Sequence, residues 1–518
     1  MDNFNRLINR HFKISLLLLA LGFFFGFIYS INLLGFSIDS QTLEPYSMRS
    51  IHISLMLYGF ITLMLSMLPF LLIYKETGSC DDGLHYLNIF FIFWYIFLLY
   101  MVVTLLFGNN RGLAFYDFHY SLNFILALAG LFYGIALYKF IKLYKIVPLW
   151  VKVSFRIVLI APFALLILMN PYIGQVESTV TGPHGDNTLG MSLALIPLYY
   201  LIIKLLSKNE FTPRWNILWI IPMAFYFASV LYRTFYEPLT YPQEWFLQYL
   251  SLLYLPLLYR WYRDSDIEGF SKTALFISIV AFLFVDVQGN ILFIPEIRWL
   301  FHRNDLIIAH AHVAMGIGVF FMVIAMFSQH IKGLDKKAFY YSYIVGILGI
   351  FAVLTLSGFY QAGFDSVDTY TLWMFRSFFG LVVLHSLTPF TSFKMAFTHK
   401  KLYNLAGVLN DGVGGILLLL LASFAYPLLG FTFSGIYEYV VFAFVSMTGV
   451  IHLMALLNEK YEEILTGLSV IVRICVSSIF FSLYLLGSLG IEALVIGMFD
   501  FLFASYYLIF LYKLKNSA

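Results

Sequence analysis

The stretch LLLLALGFFFGF, residues 16–27, contains no polar side chain. It follows the basic residues Arg10 and Lys13 and continues to the polar loop that starts near Ser37. A helix at a protein surface keeps a polar face, whereas this segment is apolar in every direction. It therefore predicts a helix surrounded by lipid. We expect it to be retained as the first membrane span, because no small-residue cleavage pattern precedes the polar loop.

Similar apolar runs recur from Ile14 to Tyr512 with only short polar breaks between them. A helix needs about 20 mostly apolar residues to cross the hydrocarbon of a bilayer. The composition, 61% hydrophobic and 11% charged over 518 residues, excludes a water-soluble globule of this size. A closed barrel would show alternating segments of about ten residues, which these runs do not. The sequence predicts an all-α integral membrane protein with about 16 transmembrane helices.

The positions of the basic residues predict an orientation, because Lys and Arg collect on the cytoplasmic side of a membrane. With a cytoplasmic N-terminus, the inner loops carry Lys139, Lys142, Lys145, Lys204, Lys208, Arg214, Arg260, Arg263, Lys332, Lys336, Lys337, Lys400, Lys401, Lys513 and Lys515. The outer loops carry Arg49, Arg111, Arg233, Arg298 and Arg303. We therefore expect a multi-pass protein of a bacterial inner membrane with both termini in the cytoplasm.

No linker separates soluble domains, and the two cysteines, Cys80 and Cys475, support neither a disulfide framework nor a thiolate metal site. Residues 1–400 contain nearly all the histidines and are predicted to form a core of twelve spans. Residues 401–518 are predicted to form additional C-terminal transmembrane helices. The glycines of residues 412–415 indicate a helix start or close helix packing, and we favour packing.

Four histidines are predicted at one depth near the outer face. His52 lies just inside the outer end of the second span, His184 precedes the sixth, and His310 and His312 lie one to two turns into the tenth. Ionisable side chains are costly in hydrocarbon and usually mark a pathway or a cofactor. By contrast, His385 and His452 lie deeper or toward the cytoplasm, and we expect both to be structural. Arg473 lies inside the fifteenth span, and we expect it to pair or snorkel.

His310 and His312 differ by about 200° of rotation and about 3 Å of height along a helix. They must therefore point to nearly opposite faces, and one helix can hold two hemes. A neutral imidazole is a good axial ligand for heme iron, and a second histidine would make a six-coordinate iron. His52 is the natural second ligand. The alternative is that these histidines only hydrogen-bond between helices.

Three stretches resemble the catalytic subunit of heme-copper oxidases, closest to the cytochrome cbb-type oxidase and nitric oxide reductase branches. Residues 49–52, RSIH, resemble the ligand motif of the low-spin heme. Residues 302–312, HRNDLIIAHAH, resemble the segment that supplies ligands to both hemes, and residues 373–376, WMFR, resemble an arginine-bearing stretch near the propionates. The resemblance covers roughly the first twelve spans.

This resemblance implies two hemes, expected to be b-type, and a role for each residue. His52 and His312 would hold the low-spin heme, and Arg376 would pair with a propionate. His310 would hold the high-spin heme at which the gas is reduced, and His184 would be a ligand of the second active-site metal. The family also implies membrane lipid, a cytochrome c-like or quinol electron donor and small accessory subunits, and we expect no nucleic acid.

The main departure from the family lies in the seventh span, where the family supplies two adjacent histidine ligands. The segment FYFASVLYRTFYE, residues 225–237, contains none. A copper or non-heme iron site normally needs about three or more nitrogen or oxygen ligands, so His184 alone is inadequate. Asp186 and Glu237 could add oxygen ligands, although solvated loop carboxylates are the simpler interpretation. The second metal, copper or non-heme iron, is left open.

A second departure lies in the ninth span, where Gln288 occupies a position that is acidic in the cbb-type branch. Asp286 lies two residues earlier and should point to the other side of the helix, as a packing residue or a proton relay. His119 and His302 lie near the outer surface, where they touch propionates or face water.

Two functions follow as alternatives. The first is an oxidoreductase that passes electrons through a low-spin heme to a high-spin heme, which reduces dioxygen or nitric oxide. The second is a non-catalytic diheme protein that transfers electrons or binds a gas and lacks the second metal. A transporter without heme is the weakest alternative, because it does not need histidines at a shared depth.

Overall fold

The structure, a computed structural model, describes residues 3–35, 44–79, 83–111, 117–145, 147–168, 185–236, 239–301, 304–331, 333–364, 368–391, 399–428 and 433–517. All regular structure in these ranges is helical. Lipid offers no hydrogen bonds to the backbone, so a segment that crosses the hydrocarbon must satisfy its own N–H and C=O groups, as a helix does. The predicted all-α class is confirmed.

The chain divides into two compact units near residue 392. The helices of the first unit are α1 (Asn3–Asn32), α2 (Pro45–Ser54), α3 (Thr62–Leu65), α4 (Leu68–Thr77), α5 (Leu84–Leu106), α6 (Asn123–Leu143), α7 (Leu149–Leu168), α8 (Gly185–Leu206), α9 (Ile217–Phe235), α10 (Tyr241–Leu250), α11 (Tyr254–Asp264), α12 (Gly269–Leu292), α13 (Pro295–Phe301), α14 (Asp305–Val313), α15 (Phe320–Phe327), α16 (Lys337–Gln361) and α17 (Thr369–Thr391). Those of the second are α18 (His399–Gly407), α19 (Gly414–Leu428), α20 (Ile436–Leu457), α21 (Glu462–Leu485) and α22 (Ile491–Ser517).

Short π-helical and 3-10 segments join some of these helices. The π-helical segments are Leu55–Ile61, Ala314–Val319 and Val408–Val413, and the 3-10 segments are Tyr120–Leu122 and Ser251–Leu253. A π-helical turn inserted into an α-helix is rare and occurs frequently at functional sites. Two of the three follow the predicted ligands His52 and His312 within three residues.

Ten helices among the described residues are long and apolar enough to cross a membrane. Three shorter apolar helices, 194–206, 217–232 and 493–509, accompany them. The chain is therefore a multi-pass membrane protein, as its composition predicts. The total of sixteen crossings stays a prediction.

The start of α14 is fixed by polar contacts with α16, and this sets the height of the histidines that follow. Asn304 caps the helix, since its side-chain oxygen accepts a hydrogen bond from the backbone N–H of Leu306 at 3.0 Å. The Asp305 carboxylate accepts hydrogen bonds from Ser357 at 2.7 Å and from Gln361 at 3.0 Å. These bonds anchor the tenth predicted span about one turn before His310.

In the second unit, Gly412 and Gly415 lie against α20. A Cβ atom added to Gly415 would lie 2.7 Å from the hydroxyl oxygen of Ser446, and one added to Gly449 would overlap the backbone of Gly412. Only residues without a side chain let the two backbones approach so closely. The prediction of close packing at these glycines is confirmed.

Candidate cofactor site

His52 on α2 and His312 on α14 face each other across a narrow gap. Their ring centroids lie 6.3 Å apart, and the ring planes differ by 23°. Both rings belong to the first unit, where α1 packs against α2 and α17, and α14 packs against α16. Two residues separated by 260 positions in the sequence are thus brought to one point by the fold.

The hydrogen bonds of these rings determine which nitrogen remains available. Nδ1 of His52 lies 2.8 Å from the carbonyl oxygen of Gly22, and Nδ1 of His312 lies 2.8 Å from the carbonyl oxygen of Ile308. A carbonyl only accepts hydrogen bonds, so each Nδ1 carries the proton and each Nε2 keeps its lone pair. Neither Nε2 has a hydrogen-bond partner among the described residues. In the neutral form, both imidazoles therefore have the Nε2 lone pair available to bind a metal.

Gly26 on α1 allows this helix to lie directly against His52. A Cβ atom at this position would be 2.6 Å from Nδ1 of the imidazole and 2.9 Å from Cε1. The resulting contact places the Gly22 carbonyl, one turn earlier on α1, within reach of the same Nδ1. The absence of a side chain at Gly26 therefore allows the His52 ring to adopt this orientation.

A cavity opens beside the two histidines and is enclosed by α1, α2, α14, α16 and α17. The side chains and backbone that line it belong to Phe23, Gly26, Phe27, Tyr29, Ser30, His52, His312, Ile350, Arg376 and Gly380. The Arg376 guanidinium lies 5.2 Å from the ring centre of Tyr29 and 5.4 Å from that of Trp373. No carboxylate of the described residues forms an ion pair with it. The cavity thus presents two metal-binding nitrogens and a guanidinium that forms no ion pair with a carboxylate of the described residues.

The spacing of the rings can be compared with that of a bis-histidine heme. A metal–imidazole bond is about 2 Å, and a ring nitrogen lies about 1.1 Å from its ring centre, so two imidazoles on opposite sides of one iron have centroids about 6 Å apart. The observed separation is 6.3 Å. The apolar walls suit the macrocycle, and Arg376 suits a propionate. The residues present fit a six-coordinate heme.

His310 has different neighbours from His312, as the predicted rotation requires. Its Nδ1 lies 3.2 Å from the side-chain oxygen of Gln288 on α12, and its Nε2 has no hydrogen-bond partner among the described residues. Gln288 therefore orients this ring and fixes the proton on Nδ1. His310, too, presents a free lone pair on Nε2.

The structure leaves part of the predicted site undescribed. His184, Glu237 and His302 lie outside the described residues, as does the side chain of Asp186. Among the residues that are described, no group of three or more His, Cys, Asp or Glu could hold a metal ion. The presence of a second active-site metal therefore stays a prediction.

The remaining polar candidates lie apart from the cavity. Asp286 is buried away from His310, with Ser251 as a hydrogen-bond partner, so Gln288 and not Asp286 contacts the histidine. His119 is half-buried and bonds the hydroxyl of Ser121 at 2.7 Å. His385 is exposed.

Sequence reasoning did not identify Gly26 or Tyr29 as part of the site. The glycine lies within the uniformly apolar stretch of residues 16–27, where periodicity gives no indication of which face meets a cofactor. A glycine in the middle of a lipid-facing helix is itself a sign of close approach by another element. That sign alone does not identify the element, which here is the ring of His52.

Comparison with known proteins gives a result only at the level of structure, since no family model and no curated protein matches the sequence. One solved structure that the chain resembles is the cryo-EM structure of a heme-copper terminal oxidase dimer. The match covers 77% of this chain and 85% of that one, with 12% identity and a TM-score of 0.51. At this level of identity the similarity concerns the fold. The chain has the helical fold of a heme-copper terminal oxidase.

Proposed function

We propose that this protein belongs to the heme-copper oxidase superfamily and acts as a respiratory oxidoreductase that reduces dioxygen or nitric oxide. When bound, two b-type hemes would supply electron transfer at a low-spin iron and gas reduction at a high-spin iron. The observation that carries this proposal is the 6.3 Å separation of the His52 and His312 rings. The likeness in fold supports it.

The proposed role of the chain is to hold and orient the two groups. His52 and His312 would hold the low-spin heme through their Nε2 atoms, since their Nδ1 atoms are engaged by the carbonyl oxygens of Gly22 and Ile308. His310 would hold the high-spin heme at its proximal side, and Gln288 would set the basicity of that imidazole. Arg376 would neutralise a propionate inside the cavity, which lowers the cost of burying that charge.

The proposal also includes a branch of the family and a second active-site metal. We place the chain nearest the cytochrome cbb-type and nitric oxide reductase branches, with His184 as a ligand of copper or non-heme iron. A second candidate function is a non-catalytic diheme protein that transfers electrons or binds a gas. It is favoured by one observation: α9, which corresponds to the seventh predicted span, contains no histidine.

We propose that residues 1–400 form the oxidase-like core and that residues 401–518 are an addition to it. The proposed location is a bacterial inner membrane with both termini in the cytoplasm, because this orientation puts most Lys and Arg loops inside. A cytochrome c-like or quinol donor and small accessory subunits would complete the electron path.

The decisive experiment is heme quantitation and metal analysis of the purified protein, with reduced-minus-oxidised and carbon monoxide difference spectra. Two hemes per chain, one of which binds carbon monoxide, with stoichiometric copper or iron would support the oxidoreductase. Two hemes without that metal, and no consumption of dioxygen or nitric oxide, would support the second candidate. A purified protein without heme would contradict both.

A further inference from the structure

The second unit encloses a cluster of charged side chains in the middle of its helices, independent of the proposed heme site. Arg473 on α21 donates one hydrogen bond to Asp411 and another to Asp500 on α22. The side chains of Arg473, Asp411 and Asp500 are 7%, 9% and 15% exposed. Arg473 and Asp411 lie within helices apolar enough to span the membrane, and Asp500 lies in a shorter apolar helix. The expectation that Arg473 pairs with a neighbour is confirmed.

His452 on α20 adjoins this cluster and is 1% exposed. Its Nδ1 lies 3.0 Å from the side-chain oxygen of Asn404, so Nδ1 carries the proton. Its Nε2 lies 2.9 Å from the Ser469 hydroxyl and 3.7 Å from the Asp411 carboxylate. With the ring proton on Nδ1, the Ser469 hydroxyl donates to Nε2, and the Asp411 carboxylate lies just beyond hydrogen-bond distance of the same nitrogen.

The charges of the cluster do not balance. One guanidinium faces two carboxylates, so with both carboxylates ionised and His452 neutral the net charge of the described cluster would be −1. An unbalanced charge in hydrocarbon is strongly unfavourable, and buried carboxylates normally avoid it by binding a proton. Nε of Arg473 is also buried without a hydrogen-bond partner. The cluster therefore has an excess of negative charge and an unused donor.

A hydrogen-bonded chain leads from the cluster to one end of the bundle. Asn404 donates to the Thr466 hydroxyl at 2.8 Å, and Thr466 donates to the carbonyl oxygen of Glu462 at 2.5 Å. Glu462 is the first residue of α21, about 16 Å along the helix from Arg473. Polar side chains thus connect the end of the bundle to its centre through His452.

The backbone at Asp411 also departs from a regular α-helix. Asp411 lies in the π-helical segment Val408–Val413, which joins α18 to α19. The titratable and charged groups that face it from the packed helices are Tyr403, His452, Arg473 and Asp500, with Tyr507 beside Tyr403.

We propose that Asp411, Asp500, Arg473 and His452 form an intramembrane proton-binding site, which holds one proton on the carboxylates that share Arg473. The proton exchanges through His452, whose Nε2 lies beside Asp411 and whose ring is oriented by Asn404. A metal ion does not suit this site, because the guanidinium lies between the two carboxylates and repels cations.

The test is infrared spectroscopy of the full chain in lipid nanodiscs, with aspartate labelled by ¹³C, at a series of pH values. We expect the spectrum to contain the carbonyl band of a protonated carboxylic acid. This band should shift in frequency with the ¹³C label and should be absent from the Asp411→Asn and Asp500→Asn variants. Asp368→Asn, which removes an exposed carboxylate, should leave the band unchanged. Absence of the band from the labelled wild-type protein at every pH at which it stays folded would overturn the proposal, whether or not the variants fold.

The exchange path is tested by the rate at which that band shifts after transfer into D₂O. His452→Phe or Asn404→Leu should slow the shift at least tenfold, whereas His385→Phe should not change it. Equal rates in all folded variants would refute the path. Thermal unfolding at alkaline pH in sodium chloride and in choline chloride distinguishes a bound proton from a bound sodium ion. A higher unfolding temperature in sodium chloride would identify a sodium site and overturn the proposal.

Discussion

The imidazole rings of His52 and His312 lie 6.3 Å apart with their planes inclined by 23°, and each ring donates its Nδ1 proton to a backbone carbonyl. Hydrogen bonds at Nδ1 fix both the tautomer and the ring orientation before any metal is bound. The pair is therefore preorganised, and its spacing suits one iron between the two Nε2 atoms.

Replacement of either histidine should remove one heme. We expect His52→Ala or His312→Ala to lower the content from two hemes per chain to one and to abolish the low-spin spectrum, because one axial ligand is lost. Pyridine hemochrome analysis and reduced-minus-oxidised spectra measure both effects. His119→Ala, at a histidine that does not line the cavity, serves as the control. An unchanged spectrum in both ligand variants would rule out this heme.

Gly26→Ala should displace the His52 ring. The added Cβ would lie 2.6 Å from Nδ1, so the ring or α1 must move, and the hydrogen bond to Gly22 should weaken. We expect a low-spin heme that is partly lost or shifted in its spectrum. Gly134→Ala is the matched control, since Gly134 is a helical glycine that does not line the cavity and its added Cβ would meet Leu159 only at 3.6 Å. Identical spectra for the two variants would contradict the steric argument.

Gln288 should control the properties of the proposed high-spin heme. Gln288→Leu removes the acceptor for Nδ1 of His310, so the imidazole becomes a weaker donor to iron, and the midpoint potential should rise. Gln288→Glu should lower it, because a carboxylate makes the imidazole more basic. Redox titration of the carbon monoxide-binding heme measures both shifts. Val287→Ala, at the adjacent exposed position, should leave the potential unchanged; shifts of the same sign in both Gln288 variants would contradict this role.

Arg376 should raise the midpoint potential of the low-spin heme. A nearby positive charge favours the reduced state, so Arg376→Met should lower the potential by some tens of millivolts. Arg376→Lys keeps the charge and should retain most of the wild-type value. Spectroelectrochemical titration of the low-spin band compares the three proteins. Equal potentials in the methionine variant and the wild type would show that the charge does not act on this heme.

Arg473→Gln should strongly destabilise the protein. The change leaves two buried carboxylates without their cation, and breaking a buried ion pair in this way costs about 3–5 kcal/mol. Denaturant unfolding in detergent, followed by circular dichroism, measures the loss. Arg263→Gln, which removes an exposed partner of Asp264, should cost about 0–1 kcal/mol. The cost of Arg473→Gln should fall when Asp411→Asn and Asp500→Asn are already present; a cost that does not fall would show that charge is not its cause.

Several features follow from the amino-acid order itself. Apolar runs such as residues 16–27 determine that the chain lies in a bilayer and is helical, because lipid leaves the backbone no other partners. The two-residue separation of His310 and His312 determines that they point to different faces, since the rotation per residue is fixed in a helix. These properties are local and need no knowledge of the neighbouring helices.

Other features were decided only by the tertiary structure. The sequence does not reveal that Gly26 supports His52 or that Gln288 contacts His310, because helices buried in lipid are apolar on all sides and their pattern does not identify the contacting face. It predicts that Arg473 pairs or snorkels, but the assembly of Asp411 and Asp500 around it depends on which helices pack together. Apolar composition fixes the environment of each helix, and packing fixes which polar groups share one cavity.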